Sequence, residues 1–92
     1  MKFECVKTEN CFAGSQTYEY RLPITGEEFS RLLSGWEVRV NARLRRPVFL
    51  ADRNGVNVKG LLAHNVIKAS FPEDRWEEEK AAFEEWLGGM DV

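Results

Sequence analysis

Apolar and polar positions alternate in several short stretches of the chain, and these stretches predict most of its strands. Residues 1–8 alternate loosely, and residues 17–22 alternate clearly until Pro23, which cannot donate to a sheet ladder. The longest alternation covers residues 36–45. Its polar face predicts an antiparallel sheet with one side in water. Its apolar face, predicted to be buried, consists of Trp36, Val38, Val40, Ala42 and Leu44.

The strongest hairpin signal is Asn54-Gly55, which separates two apolar runs. A two-residue loop would pair Arg53 with Val56, and a three-residue loop would pair Asp52 with Val56. We favour the three-residue loop, since Asp at the first position and Gly at the fourth suit a type I turn. That register would group Val48, Leu50, Val56 and Val58 on one face.

A capping box predicts the first helix. Thr25 and Glu28 have the required spacing, and Ile24 and Phe29 stand where a hydrophobic staple would place them. A glycine follows the apolar stripe, so the helix is predicted over about residues 26–34.

A second capping box, Ser70 to Glu73, predicts the start of a C-terminal helix after a last short strand at about residues 66–70. Gly88-Gly89 ends that helix, and residues 89–92 are predicted to be a frayed tail. At 100° per residue its apolar stripe consists of Trp76, Phe83, Trp86 and Leu87.

These elements predict an α+β fold in one domain spanning residues 1–92. We expect an antiparallel sheet of about five strands, a short helix after the second strand, and a C-terminal amphipathic helix packed on one face.

Composition agrees with a small folded domain. The chain has 92 residues, 43% of them hydrophobic, and a net charge of −2. This excludes wholesale disorder, and no apolar run is long enough for a membrane helix. The first residues lack the pattern of a secretory signal, so we expect a cytoplasmic protein without a membrane partner.

Few side chains could support metal or nucleophilic chemistry. The chain has two cysteines, Cys5 and Cys11, and one histidine, His64. These are one ligand short of a closed zinc site, and no catalytic or phosphate-binding motif surrounds them. We expect small apolar packing for the cysteines, with a disulfide between them as a minor alternative. A turn or partly buried position is expected for the histidine. We therefore expect no metal, no cofactor and no enzymatic activity.

The small net charge conceals a polarised chain. Residues 36–60 carry six basic and two acidic residues, whereas residues 72–92 carry two basic and eight acidic ones. The candidate basic face, placed on the long strand, consists of Arg39, Arg43, Arg45 and Arg46. The candidate acidic face, on the C-terminal helix, consists of Glu77, Glu78, Glu84 and Glu85.

Each charged face has a structural and a functional interpretation. The arginines could pair with the protein's own carboxylates, contact an acidic protein, or bind phosphates. The glutamates could be merely solvated, bind a basic protein, or imitate phosphates. The expected function is a non-enzymatic protein-interaction or regulatory module, of inhibitor or immunity type, with an unidentified protein partner. The alternative is a weak nucleic-acid binder that uses the arginine face without sequence preference.

Overall fold

The computed structural model describes residues 1–8, 15–43 and 45–90. It shows an α+β fold with a six-stranded antiparallel sheet and a C-terminal helix. In chain order, the elements are β1 (Glu4–Lys7), β2 (Ser15–Arg21), α1 (Gly26–Ser30), β3 (Glu37–Asn41), β4 (Val48–Arg53), β5 (Val56–Leu61), β6 (Val66–Pro72) and α2 (Trp76–Gly89).

The strands lie in the order β1-β2-β6-β5-β4-β3. After β2 the chain passes through α1 to the far edge of the sheet, and β3 to β6 then return as a meander that pairs with β2. The β2–β6 ladder, from Ser15↔Pro72 to Arg21↔Val66, joins the β1–β2 pair to the meander, and β1 and β3 form the two edges of the sheet.

Both helices pack on the same side of the sheet, which we call the helix face. Rings of α2 and the sheet meet there: Phe83 lies 5.3 Å from Tyr20 and 5.7 Å from Phe71, measured between ring centroids. Likewise, Phe29 of α1 lies 5.9 Å from Phe49. The opposite side, which we call the open face, carries no helix among the described residues. One hydrophobic core therefore lies between the helices and the sheet.

The first capping box forms as predicted. The Glu28 backbone N–H donates to the Thr25 hydroxyl at 3.3 Å, and the Thr25 N–H faces the Glu28 carboxylate at 3.5 Å. Ile24 and Phe29 are both buried. The helix is shorter than expected and ends at Ser30, and a turn covers the remaining predicted residues before Gly35, whose φ is +83°.

The long alternation gives a shorter and more exposed strand than predicted. β3 ends at Asn41 and is an edge strand, so only one neighbour covers it. Val38 is half-buried, Val40 is 53% exposed and Ala42 is exposed. The predicted burial of this apolar face is therefore wrong for Val40 and Ala42, and Leu44 lies outside the described residues.

The preferred hairpin register is also wrong. Arg53 pairs with Val56 across a two-residue loop. Asn54 and Gly55 have φ values of +50° and +83°. Positive φ at both positions indicates a type I′ turn, whose twist matches that of the flanking strands. The core residues are consequently Phe49, Ala51, Val56 and Val58, while Leu50 turns to the open face.

The second capping box is wrong because Ser70, its predicted N-cap, belongs to β6. That strand extends to Pro72, and α2 begins at Trp76 after Arg75, which makes no side-chain cap. The apolar stripe is confirmed where it meets the sheet: Phe83 and Leu87 are buried, and Trp76 and Trp86 are half-buried.

The predicted tail is partly helical. Gly89 belongs to α2 and Met90 packs against the core, whereas residues 91–92 lie outside the described part. No helix in residues 1–8, 15–43 and 45–90 is long and apolar enough to cross a membrane.

Candidate functional site

A groove of about 280 Å³ lies between α2 and the β4–β5 hairpin. Two half-buried tryptophans line it, with indole centroids 6.2 Å apart. We call it the tryptophan groove; its lining includes Trp36, Trp86, Phe83, Ala82, Arg53 and Glu79.

The two tryptophans reach the groove by different routes. Trp86 projects from α2 and packs edge-on to Phe29 of α1, with 5.8 Å between ring centroids. Trp36 immediately precedes β3 and contacts Phe83 at 6.2 Å. Each indole therefore packs against core rings and remains partly exposed in the groove. Such amphipathic, rigid side chains are enriched at the energetic centres of protein interfaces.

Arg75 joins one end of the groove to the hairpin. Its guanidinium donates to the Asn54 carbonyl at 3.0 Å and to the Glu79 carboxylate at 3.3 Å. The first turn of α2 and the β4–β5 turn are thus linked through a single side chain. This contact fixes the Glu79 carboxylate at the border of the groove.

The outer side of α2 continues the groove as an acidic surface. Around the helix axis, Ala82 lies between Trp86 and the glutamates Glu78 and Glu85, by the 100° step of an α-helix. Both glutamates are exposed. Exposed Glu77 lies farther round, on the side away from the groove. We call Glu78 and Glu85 the acidic rim.

Glu84, which the sequence placed on the same acidic face, points elsewhere. Its carboxylate accepts hydrogen bonds from the Tyr20 hydroxyl, at 3.3 Å, and from the Lys80 ammonium. It is half-buried between α2 and the sheet. Glu84 therefore stabilises the packing of α2 and is not part of a solvent-facing surface with Glu78 and Glu85.

Burial of Tyr20 raises the pKa of its phenol well above the ordinary value, and the neighbouring Cys5 and Glu84 raise it further. Burial lowers the pKa of Lys80, but the hydrogen bond and charge of Glu84 outweigh it and leave the pKa raised. The Lys80 ammonium also lies 4.8 Å from the centre of the Tyr18 ring. Tyr20 stays neutral and Lys80 charged at ordinary pH, as a structural role requires.

The four arginines do not form a row on one strand. Only Arg39 belongs to β3; the others lie in the exposed connection to β4. The Arg39 guanidinium pairs with the Asp52 carboxylate at 3.2 Å, and both side chains are substantially exposed. Such a surface pair stabilises by about 0–1 kcal/mol, so it does not lock Arg39. The exposed connection contains Arg43, Arg45 and Arg46.

The remaining candidate groups are dispersed. Cys5 is an exposed, free thiol on β1, not the packing residue expected, and His64 lies exposed in the β5–β6 turn. Cys11 lies outside the described residues. In the part of the chain that the structure describes, no group of three or more His, Cys, Asp or Glu side chains could hold a metal ion.

Sequence reasoning singled out the tryptophans without joining them. The sequence pattern placed Trp86 on the apolar stripe of the C-terminal helix and Trp36 on a predicted strand fifty positions earlier. The groove exists only because the fold brings the two indoles into contact. The α2 periodicity could have placed Glu79 beside Trp86. No family model, curated protein or solved structure matches this chain.

Proposed function

We propose that this protein is a small, non-enzymatic cytoplasmic interaction module that binds a basic segment of another protein. The binding surface is the tryptophan groove together with the acidic rim. One observation carries this proposal: two adjacent, half-buried indoles share a groove with Glu79, next to a helix side that carries exposed carboxylates.

The groove and the rim favour the same kind of partner. A lysine or arginine side chain can lay its apolar stem against an indole and direct its cation to the exposed carboxylates of the rim. Tryptophan is enriched among the few residues that carry most of the binding free energy at protein interfaces. Exposed carboxylates mainly increase the association rate and favour positively charged partners.

An inhibitory role follows from this chemistry. The carboxylates of Glu78 and Glu85 lie about two turns apart on one helix side and can stand in for two phosphates, so a protein that uses basic residues to hold nucleic acid would offer a suitable surface. Binding there would compete with the phosphates of the nucleic acid. This is the inhibitor or immunity-type function expected from the charge distribution.

The alternative is weak binding of nucleic acid by Arg43, Arg45 and Arg46. Their shared exposure in the β3–β4 connection supports it. The short β3 weakens it, because the arginines do not continue the regular spacing of a strand. Phosphate contacts alone would be sensitive to salt and indifferent to sequence.

Calorimetric titration with a short synthetic peptide rich in arginine and leucine tests the first function. The Glu78→Lys/Glu85→Lys variant should bind at least about ten-fold more weakly than wild type, a loss of about 1.4 kcal/mol. The control is Glu4→Lys/Glu37→Lys, which changes net charge equally but acts on β1 and β3. The control should bind within about two-fold of wild type.

Equal weakening in the two variants would show general charge attraction and would contradict a specific site. Absence of wild-type binding at low salt would contradict the proposal outright. Circular dichroism should show both variants folded, because all four glutamates are exposed. Reversing Glu78 in the first turn of α2 costs only about 1 kcal/mol or less.

A labelled oligonucleotide tests the alternative. We expect no binding by the wild-type protein at physiological salt. Micromolar binding there that is lost in Arg43→Glu would make nucleic acid the first candidate.

A further inference from the structure

The strand β3 forms one edge of the sheet, and β4 is its only neighbour there. No proline or bulge interrupts it, since its register with β4 is continuous from Glu37 to Asn41. Val40 lies on the helix-face side, opposite buried Phe49, and is itself 53% exposed. An edge strand presents unpaired N–H and C=O groups on which another strand can pair. The outer side of β3 is therefore a candidate for strand addition.

The hydrogen-bond alternation of the neighbouring hairpin shows which groups of β3 point outward. In a two-residue type I′ loop the flanking residues, here Arg53 and Val56, form a hydrogen-bonded pair. At the other end of the hairpin, the Leu62 N–H donates to the Pro47 carbonyl at 2.9 Å, which continues the same alternation. The odd-numbered residues of β4 therefore bond to β5, and its even-numbered residues bond to β3.

The alternation leaves two residues of β3 with outward backbone groups. In the β3–β4 register, the residues opposite the even-numbered ones of β4 are Glu37, Arg39 and Asn41, and these bond to β4. The N–H and C=O groups of Val38 and Val40 consequently point away from the sheet. Within residues 1–8, 15–43 and 45–90, no other backbone group bonds to them. A further strand could bond to both valines.

The side chains of β3 are complementary to those of a second, antiparallel copy. Glu37 and Arg39 flank Val38 and are both exposed on the open face. A two-fold axis through Val38 places each Glu37 opposite the Arg39 of the second copy. The same axis places each Val40 opposite the second copy's Trp36. The charged pairs then occupy non-hydrogen-bonded positions, where opposite side chains are closest.

This register also improves the charge balance around Glu37. Within one chain Glu37 lies directly opposite Asp52, a like charge, and the described residues give it no ion pair. Arg39 contacts Asp52 at 3.2 Å, but its side chain is 70% exposed and can serve a second carboxylate. An axis through Arg39 would instead place two arginines face to face, which destabilises a sheet. The charges therefore select the axis at Val38.

We propose that this protein forms a two-fold dimer in which β3 pairs with β3 of a second copy, with Val38 opposite Val38. The two sheets join into one continuous sheet that carries all helices on the same side. The symmetric placement of Glu37 and Arg39 about Val38 favours a second copy over a foreign strand. Five paired residues make a small interface, so the dimer forms at high protein concentration and dissociates at micromolar concentration.

The dimer does not depend on the proposed function. Glu37 and Arg39 lie on the open face, whereas the tryptophan groove lies on the helix face. Peptide titrations at micromolar protein concentration observe the monomer. A failure of the dimer would therefore leave peptide binding untouched, and a failure of peptide binding would leave the dimer untouched.

Sedimentation equilibrium with protein at up to about 1 mM tests the dimer. Glu37→Arg and Arg39→Glu should each weaken it at least about five-fold, because two attractive pairs become two repulsive ones. The two variants change net charge in opposite directions, so a general charge effect would not weaken both. The matched control is the double variant Glu37→Arg/Arg39→Glu, which restores the pairs in exchanged order. It should dimerise within about two-fold of wild type.

Amide hydrogen exchange locates the interface. The Val38 and Val40 amides should exchange more slowly as concentration rises, whereas those of β1, the other edge strand, should not change. Val40→Pro removes an outward N–H at an exposed position, so it should abolish the dimer and leave the chain folded. A wild-type monomer at about 1 mM would overturn the proposal. So would protection confined to β1, an undiminished dimer in Val40→Pro, or a double variant that fails to restore association.

Discussion

At the scale of single residues, Tyr20 shows how the chain holds α2 on its sheet. The ring is fully buried and contacts Phe83, while the hydroxyl reaches the Glu84 carboxylate at 3.3 Å. Glu84 in turn binds Lys80 one helical turn earlier. A buried phenol needs such a partner, because an unsatisfied buried hydroxyl costs about 1–3 kcal/mol.

This arrangement predicts a loss of stability at alkaline pH. The raised pKa values of Tyr20 and Lys80 mean that the folded protein retains protons that the unfolded chain releases near pH 10. Their stabilising contribution is complete below that pH and falls as the pH rises through the folded-state values. The unfolding midpoint in urea should therefore decrease above about pH 10.

The Tyr20→Phe variant provides the comparison. It should lose roughly 1 kcal/mol at neutral pH, because the hydroxyl bond disappears while the ring remains. Its stability should fall less steeply above pH 10 than that of wild type. A steeper fall in the variant would contradict this role for Tyr20.

Replacing glycine by alanine should have opposite effects on stability at Gly26 and at Gly88. A Cβ at Gly26 would lie 2.3 Å from the Leu61 carbonyl oxygen, so α1 would have to move away from β5. A Cβ at Gly88 in α2 would meet nothing within 4 Å. Thermal unfolding should show Gly26→Ala destabilised by more than about 1 kcal/mol, as overpacking predicts, and Gly88→Ala stabilised by about 0.5–1 kcal/mol. Equal effects would contradict the α1–β5 contact.

At the scale of elements, α2 completes the core of the sheet. Its apolar stripe faces the sheet, and Phe83 contacts rings of β2 and β6 and the ring of Trp36, which precedes β3. The element is therefore structural on its inner side, and only its outer side is available for binding.

Truncation of Phe83 measures this structural role. Phe83→Ala should destabilise the protein by about 3–5 kcal/mol, because a large ring leaves a well-packed core. Chemical denaturation gives the value directly. A change below about 1 kcal/mol would mean that α2 does not depend on these ring contacts.

Local signals predicted elements well when no other segment competed for the same residues. The box at Thr25 formed because its chain enters a helix without a strand partner. The box at Ser70 failed because β2 supplies a ladder through Pro72, and strand pairing there competes with helix initiation. The hairpin register was mispredicted for a similar reason. The choice of a type I turn considered only the turn residues, whereas the twist of the two strands favours the type I′ turn that forms.

The sites were less predictable than the elements because they depend on contacts between distant segments. The alternation in residues 36–45 cannot reveal that β3 lies at an edge. Nor can local patterns show that Trp36 meets Trp86, or that Lys59 lies beside Lys68. Charge segregation was visible from the sequence, whereas the register determined which cations share a face.

At the scale of the whole molecule, the sheet separates two different surfaces. The helix face carries the tryptophan groove and the acidic rim. The open face carries Lys59, Lys68 and Glu19 as cross-strand neighbours beside exposed Leu50, so basic and acidic side chains are mixed there. The proposed function belongs to the helix face.

The indole N–H signals of the three tryptophans give the most direct test of that function. The protein is ¹⁵N-labelled and titrated with the arginine- and leucine-rich peptide. Trp36 and Trp86 line the groove, whereas Trp76 stacks on Tyr18, 6.2 Å away between ring centroids. We predict saturable shifts of the Trp36 and Trp86 signals and little change at Trp76. Unchanged signals, or a larger shift at Trp76, would contradict binding in the tryptophan groove.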